Sequence, residues 1–391
     1  MALTQKNFAD LITLSRNSSA WRFNAMGLLE SVPANEPRFD YDRLTHQLRG
    51  LLIEEQRTNT FLNSGNLTLM NLNAGATWDE APGMAPDGQA VARVLIMSGP
   101  ASSGVYRTNA STNAGQQVWS VEARAITGNG QLRLQLSGTS YAATYYVDFD
   151  LINNRIIRSS GATGFISKVS DDGTYRVSIT APVDNPATPG HNVCIYAGDT
   201  TAKSFAVWGG QLETGVFPTS YIPTTTAQVT RAADIAYVGN TAPWFNPVAG
   251  TLYVEARPSM VPTGNAGIVA ASLTSAGVAE RIFALQLTAT AVRGGGLGSG
   301  GNDLSVLPVT GIAPEAEKTY KGALAYAAKD ARGAVNGVLT APGAPAVQPG
   351  PITKLNLGSL SGSSQLFNGH IRNIRYYPRR LTDAELQALT A

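Results

Sequence analysis

Two carboxylates raise the first question of chemistry. Asp148 and Asp150 stand two residues apart in Tyr145-Tyr146-Val147-Asp148-Phe149-Asp150, so an extended chain turns both to one face, roughly 6.5 to 7 Å apart. That separation suits a general acid and a general base flanking a glycosidic bond. No neighbouring residue marks either group for a raised pKa, and the Glu-x-Asp-x-x-Glu strand of laminarinase-type glycosidases is absent. The pair is read as polar positions on a wetted strand face, with polysaccharide cleavage as the rival.

Aromatic residues offer a second chemistry, since sugar rings stack their C–H faces on Trp and Tyr while hydroxyls bond nearby polar groups. Tyr146 shares the polar phase of Asp148 and Asp150, and with Trp78 and Tyr106 these residues form the candidate sugar-contacting set. Trp119 keeps period two with Val121, Ala123 and Ala125 and reads as core.

Other chemistries lack their parts. His46, His191 and His370 are far apart, with no second His or Cys at ligand spacing, so neither a metal nor any other cofactor is expected. Asp171-Asp172-Gly173 is a turn before it is a calcium site. Cys194, the single cysteine, lies in the apolar run Val193-Cys194-Ile195 and reads as an inert buried thiol. Gly296-Leu297-Gly298-Ser299-Gly300-Gly301 satisfies a dinucleotide pattern in form, but no helix-forming run follows it, and it reads as a flexible hairpin loop. There is no Gly-x-Ser-x-Gly elbow and no phosphate loop.

The elements that must position these residues are strands. Charged residues make up only 14% of 391, against 40 Gly and 21 Pro, a balance that suits short strands and many turns. Lys+Arg 29 against Asp+Glu 27 leaves too weak a field to hold a nucleic acid backbone, so nucleic acid is excluded as a partner. No run of apolar residues is long enough for membrane insertion, and the N-terminus has no basic-then-apolar leader pattern. Strict alternation predicts half-buried antiparallel strands at 131–136, 145–151, 175–180, 251–257 and 281–287. Asn336-Gly337 predicts a two-residue hairpin, and a slip of phase between Ile371 and Ile374 predicts a bulge near Arg372. Thr382 with Glu385 forms a capping box, and Leu381 with Leu386 a hydrophobic staple, for a helix over 383–389 that closes the end of the second sandwich. Phe8, Leu11 and Ile12 recur at helical spacing, which predicts a short N-terminal helix available for partner attachment.

Longer strings carry a resemblance. Arg38-Phe39-Asp40-Tyr41-Asp42 and Gly50-Leu51-Leu52-Ile53-Glu54-Glu55-Gln56-Arg57-Thr58-Asn59 resemble the leader of a jelly-roll module in tailed-bacteriophage virion proteins. Trp208 to Gly215, Pro218 to Thr224 and Thr230-Arg231-Ala232-Ala233-Asp234 resemble the last strand and exit of that module, which is similar to carbohydrate-binding modules. The region around Val335-Asn336-Gly337 and Phe367-Asn368-Gly369-His370-Ile371 resembles a concanavalin A or laminin-G-like sandwich.

The expected fold is all-β: two antiparallel β-sandwiches in tandem, with an N-terminal attachment region at 1–60, a jelly roll at 61–235 and a concanavalin A-like sandwich at 236–391. The resemblance implies a non-enzymatic virion part, a tail fibre, spike or appendage assembled in the host cytoplasm. It would contact other virion proteins and host surface glycan as a homo-oligomer, a trimer if fibrous. Pure capsid, collar or tail decoration and polysaccharide depolymerisation stay open as alternatives.

Overall fold

Alternation becomes structure directly in Gln131–Ser137: Leu132, Leu134 and Leu136 are fully buried while Gln131, Arg133 and Gln135 stay half-buried. The computed structural model describes residues 8–83, 85–89, 92–109, 114–188, 190–262, 267–276, 281–299, 302–344, 350–362 and 364–391. Nearly all regular structure in them is strand, with α-helix only at Phe8–Leu11 and Asp383–Thr390.

One sandwich holds two six-stranded antiparallel sheets. Its front sheet runs, in spatial order, Arg155–Ser160, Tyr145–Asp150, Gln131–Ser137, His191–Tyr196, Gly104–Asn109 and Asn71–Asn73. Its back sheet runs Thr163–Lys168, Thr174–Pro182, Gln116–Thr127, Lys203–Thr214, Ala92–Met97 and Ala76–Gly83. Trp119, Val147, Phe149, Ile179, Ile195 and Phe205 fill the space between them. The other sandwich, here the base, packs two seven-stranded sheets around Ile53, Leu252, Leu285, Leu324 and Phe367.

The N-terminal stretch departs from the expected attachment region. Leu48–Ile53 pairs with Gly369–Tyr377, with Leu51 opposite Ile371, and Phe39–Tyr41 adds the next strand. Thr13–Ser15 pairs with Ile235–Gly239 in the opposite base sheet. The cause is the continuous apolar run Leu51-Leu52-Ile53, in which all three residues are buried, as a strand covered on both faces requires. Gly50 makes the close pairing possible: at φ +131° a side chain is strained, and its Cβ would meet the Ile371 carbonyl oxygen at 2.4 Å.

The two ends of the chain therefore build the base together, and the other sandwich is inserted between them. The chain leaves the base through Arg57–Asn59 and returns through Val229–Arg231, and these two strands pair side by side. The expected N-terminal helix is one turn, because the chain turns extended at Thr13 to join the base sheet.

The expected hairpin, bulge and capped helix near the C-terminus are all present. Asn336 and Gly337 take φ +47° and +78° between Asp330–Val335 and Val338–Leu339. Arg372 is the extra residue where the register against Glu255 and Ala256 shifts. The Thr382–Glu385 capping box is formed, and Leu381 and Leu386 are buried against Tyr253, Ala323 and Ala334. The helix thus covers an outer sheet face rather than the end of the sandwich. Gly296 to Ser299 lie within the strand Val292–Ser299, not in a loop, while Gly300 and Gly301 fall outside the described residues.

Candidate functional site

Antiparallel pairing gathers the sequence-predicted residues on the outer face of the front sheet. Tyr106 lies opposite Cys194, Cys194 opposite Gln135 and Gln135 opposite Tyr146, a row of three strand spacings of about 4.8 Å each. The next row sets Tyr196 opposite Arg133, Arg133 opposite Asp148 and Asp148 opposite Arg158. Tyr106, Tyr146 and Tyr196 are half-buried, while the side chains of Arg155 and Arg158 are 66% and 53% exposed. The Arg133 guanidinium lies over the Tyr146 ring at 3.9 Å from its centroid, a cation–π contact that holds the ring in place.

Both carboxylates are engaged. Asp148 is fully buried and accepts from Arg133 Nε at 2.7 Å, Arg133 NH2 at 3.0 Å and Arg158 Nε at 2.5 Å. Asp150 caps the following turn, accepting from the Asn153 backbone N–H at 3.0 Å, its side-chain amide at 2.8 Å and Arg155 Nε at 3.1 Å. Burial opposes charge on Asp150, but Asn153 and Arg155 outweigh it and hold the carboxyl below its usual range. That direction is opposite to what a general acid needs. Asp148 and Asp150 are thus held by the arginines and the turn rather than standing free on the sheet face. Sequence reasoning missed Arg133, Arg158 and Tyr196; the first two share a phase with the aspartates across the hairpin, which was the available signal.

The remaining candidates scatter. Trp78 packs against the core from the opposite, back sheet, so it does not join the face. Ile12 packs against the base core and is unavailable for a partner; Leu11 is 48% exposed, and Phe8 opens the single helical turn. Cys194 is buried, and burial pushes its thiol up to about 11. His191 contacts the Tyr141 hydroxyl at 2.9 Å, and His46 sits in a turn against the Ala25 carbonyl. Among the described residues no three His, Cys, Asp or Glu side chains are placed to hold a metal ion.

The motif strings meet elsewhere, in a buried charge network where the two sandwiches join. Arg38 bonds Glu54 at 2.8 Å, Ser220 at 2.8 Å, and Asp234. Asp234 also accepts from Arg16 at 2.9 Å and from the Glu54 backbone N–H at 3.0 Å. Arg231 reaches Glu54 at 2.9 Å, and Ser220 donates to both Glu54 oxygens, at 2.8 and 2.6 Å. Burial opposes charge on Glu54, yet Arg231, Arg38 and Ser220 hold its carboxyl far below the usual range. The longest strings in the chain therefore encode a joint between sandwiches.

No protein-family profile matches the chain, and no curated protein does either. Among solved structures, the chain is similar to the CBM40 module of the Ruminococcus gnavus IT-sialidase bound to α2,3-sialyllactose, at 18% identity over 37% of this chain and 83% of that one, with a TM-score of 0.31. Domain 4 of AbnA, a GH43 arabinanase from Geobacillus stearothermophilus in complex with arabinotriose, shares 14% identity over 46% and 83%, with a TM-score of 0.32. The Trypanosoma rangeli sialidase in complex with the inhibitor DANA shares 14% over 76% and 60%, with a TM-score of 0.29. These values describe a loose likeness, from which no ligand or activity is transferred.

Proposed function

We propose that this chain is a non-enzymatic part of a tailed-bacteriophage particle, a tail fibre, spike or appendage, whose inserted sandwich holds host surface glycans on its front sheet. The observation that carries the glycan reading is the outer face of that sheet, where Tyr106, Tyr146 and Tyr196 lie half-buried among Gln135, Asn192 and exposed guanidinium groups. Flat aromatic rings edged by amides and hydroxyls offer a saccharide stacking area and hydrogen bonds together. The virion reading rests on the resemblance of Arg38 to Asp42, Gly50 to Asn59 and Pro218 to Asp234. Weak contacts multiplied over the copies of a homo-oligomer, a trimer in a fibre, would add through effective concentration.

A glycan array of the purified chain tests the adhesion. The expected result is specific binding at millimolar or tighter affinity that Tyr146→Ala weakens by about tenfold, at the upper end of one aromatic contact's worth. Binding to no glycan removes adhesion and leaves decoration of the particle. One observation favours that second reading: Ile152, Ile156 and Ile157 are exposed on and beside the edge strand Arg155–Ser160, where a neighbouring subunit could cover them. Location in density of the intact particle tests the virion assignment itself.

A further inference from the structure

A second surface of the inserted sandwich is enclosed. The outer face of its back sheet floors a cleft of about 480 Å³, whose opposite wall comes from Ala20–Phe23 and from base loops at 259–261 and 316–317. That volume lies within the roughly 300–1,000 Å³ of small-molecule sites.

Strand register writes out the floor. Thr163 pairs with Thr180, Phe165 with Ser178, and Ser167 with Arg176. The next strand sets Ser120 beside Ser178 and Glu122 beside Arg176. Ile166, Val177 and Ile179 point the other way, into or against the core, so Phe165 stands on a floor of hydroxyls. Trp21 of the facing strand lines the same space.

The charges are unequal in their engagement. Every carboxylate lining the cleft has a cationic or imidazole partner: Glu122 meets Arg43 at 2.9 Å, Glu317 meets Arg257 at 2.9 Å, Asp40 meets His370 at 2.8 Å, and Glu54 belongs to the joint. Arg22 and Arg49 pair with Glu30 and Asp42. Arg176 differs: among the described residues its guanidinium has no carboxylate in ion-pair range, only the Ser120 hydroxyl at 3.3 Å. His370 adds a second unanswered group. It is 4% exposed and lines the cleft, its Nε2 faces Asp40, and its Nδ1 is buried with no hydrogen-bond partner. A buried polar atom without a partner is costly unless something supplies one.

We propose that this cleft binds a short oligosaccharide bearing a carboxylate, with Phe165 and Trp21 supporting a sugar ring, the Ser and Thr floor meeting its hydroxyls, and Arg176 receiving the acid group. A carboxylate matches a guanidinium in charge and in bidentate geometry. The assignment is independent of the front-sheet reading, since it does not use Tyr146, and of the virion reading, since Trp21, Phe165 and Arg176 all lie outside the motif strings.

Isothermal titration of the full chain tests it, with trigalacturonate and sialylated lactose as acidic probes and cellotriose as the neutral one. At least one acidic probe is expected to bind at a single site more tightly than cellotriose. Arg176→Gln should weaken it by about tenfold, the scale of one charge-assisted contact, and Phe165→Ala by a similar factor, while Tyr146→Ala leaves it unchanged. Thr163→Trp, at an exposed rim position, should block the cleft and serves if either floor variant melts early. Failure of both acidic probes to bind overturns the proposal, as does binding that survives Arg176→Gln, Phe165→Ala and Thr163→Trp or is lost in Tyr146→Ala alone. Loss of array binding in Tyr146→Ala with titration intact separates the two sites.

Discussion

Asp234→Asn is the sharpest test of the joint between the sandwiches. In the native network three buried guanidiniums, of Arg16, Arg38 and Arg231, face the carboxylates of Glu54 and Asp234. The substitution preserves shape but leaves three cations against one anion. It also turns an amide N–H toward Arg16 or Arg38, where an oxygen had accepted. Removing one partner of a buried ion pair costs about 3–5 kcal/mol, because the remaining charge cannot regain its hydration. At roughly 2–4 °C per kcal/mol for a unit of this size, Tm should fall by about 10 °C. Thermal melting and equilibrium urea unfolding, followed by tryptophan fluorescence, read the change. Asp171→Asn is the control, since Asp171 is 84% exposed and 3.6 Å from Lys168, and it should leave Tm unmoved. An Asp234→Asn variant melting within 2 °C or so of the native chain would falsify the claim that this cluster holds the joint.

Acid should weaken the same joint. The folded-state pKa of Glu54 is depressed, so its contribution is fully present above the unfolded value of about 4.3 and is lost as pH falls toward the folded one; the stability gap between the native chain and Glu54→Gln should narrow below about pH 4, and a constant gap from pH 7 to 3 contradicts the assignment. Cys194, buried with its thiol pushed up to about 11, should resist a thiol reagent at pH 8 until urea unfolds the inserted sandwich; rapid labelling of the native chain rules that environment out. Deleting residues 1–53 removes strands from both base sheets and should abolish cooperative unfolding of the base, whereas a truncated chain melting like the full one would restore a dispensable N-terminal region.

Period-two runs were legible because each inward residue meets the same core, as in Leu132, Leu134 and Leu136. The hairpin at Asn336-Gly337 and the capped C-terminal helix were legible because short-range backbone chemistry decides them. The N-terminus was not, since Phe8, Leu11 and Ile12 fit one helical turn and also a segment that turns extended to reach a sheet. Chain insertion was equally hidden: nothing local in Gly50 to Ile53 points to a partner some 320 residues away. At the candidate face, the phase of Tyr146 and Asp148 was visible, but their capture by Arg133 depends on cross-strand register. The joint was visible only as unexplained strings, because Arg38 and Asp234 are far apart until the fold closes.

The paired strands Arg57–Asn59 and Val229–Arg231 have a mechanical meaning. A module spliced in through two adjacent crossings is anchored like a door leaf along its hinge side, and it cannot swivel as a bead on a single thread can. A shearing load on its tip is divided between two covalent connections, and one proteolytic nick in either leaves the other still attached. Because both crossings lie so close together, one inserted module can be exchanged for another with little disturbance to the platform beneath.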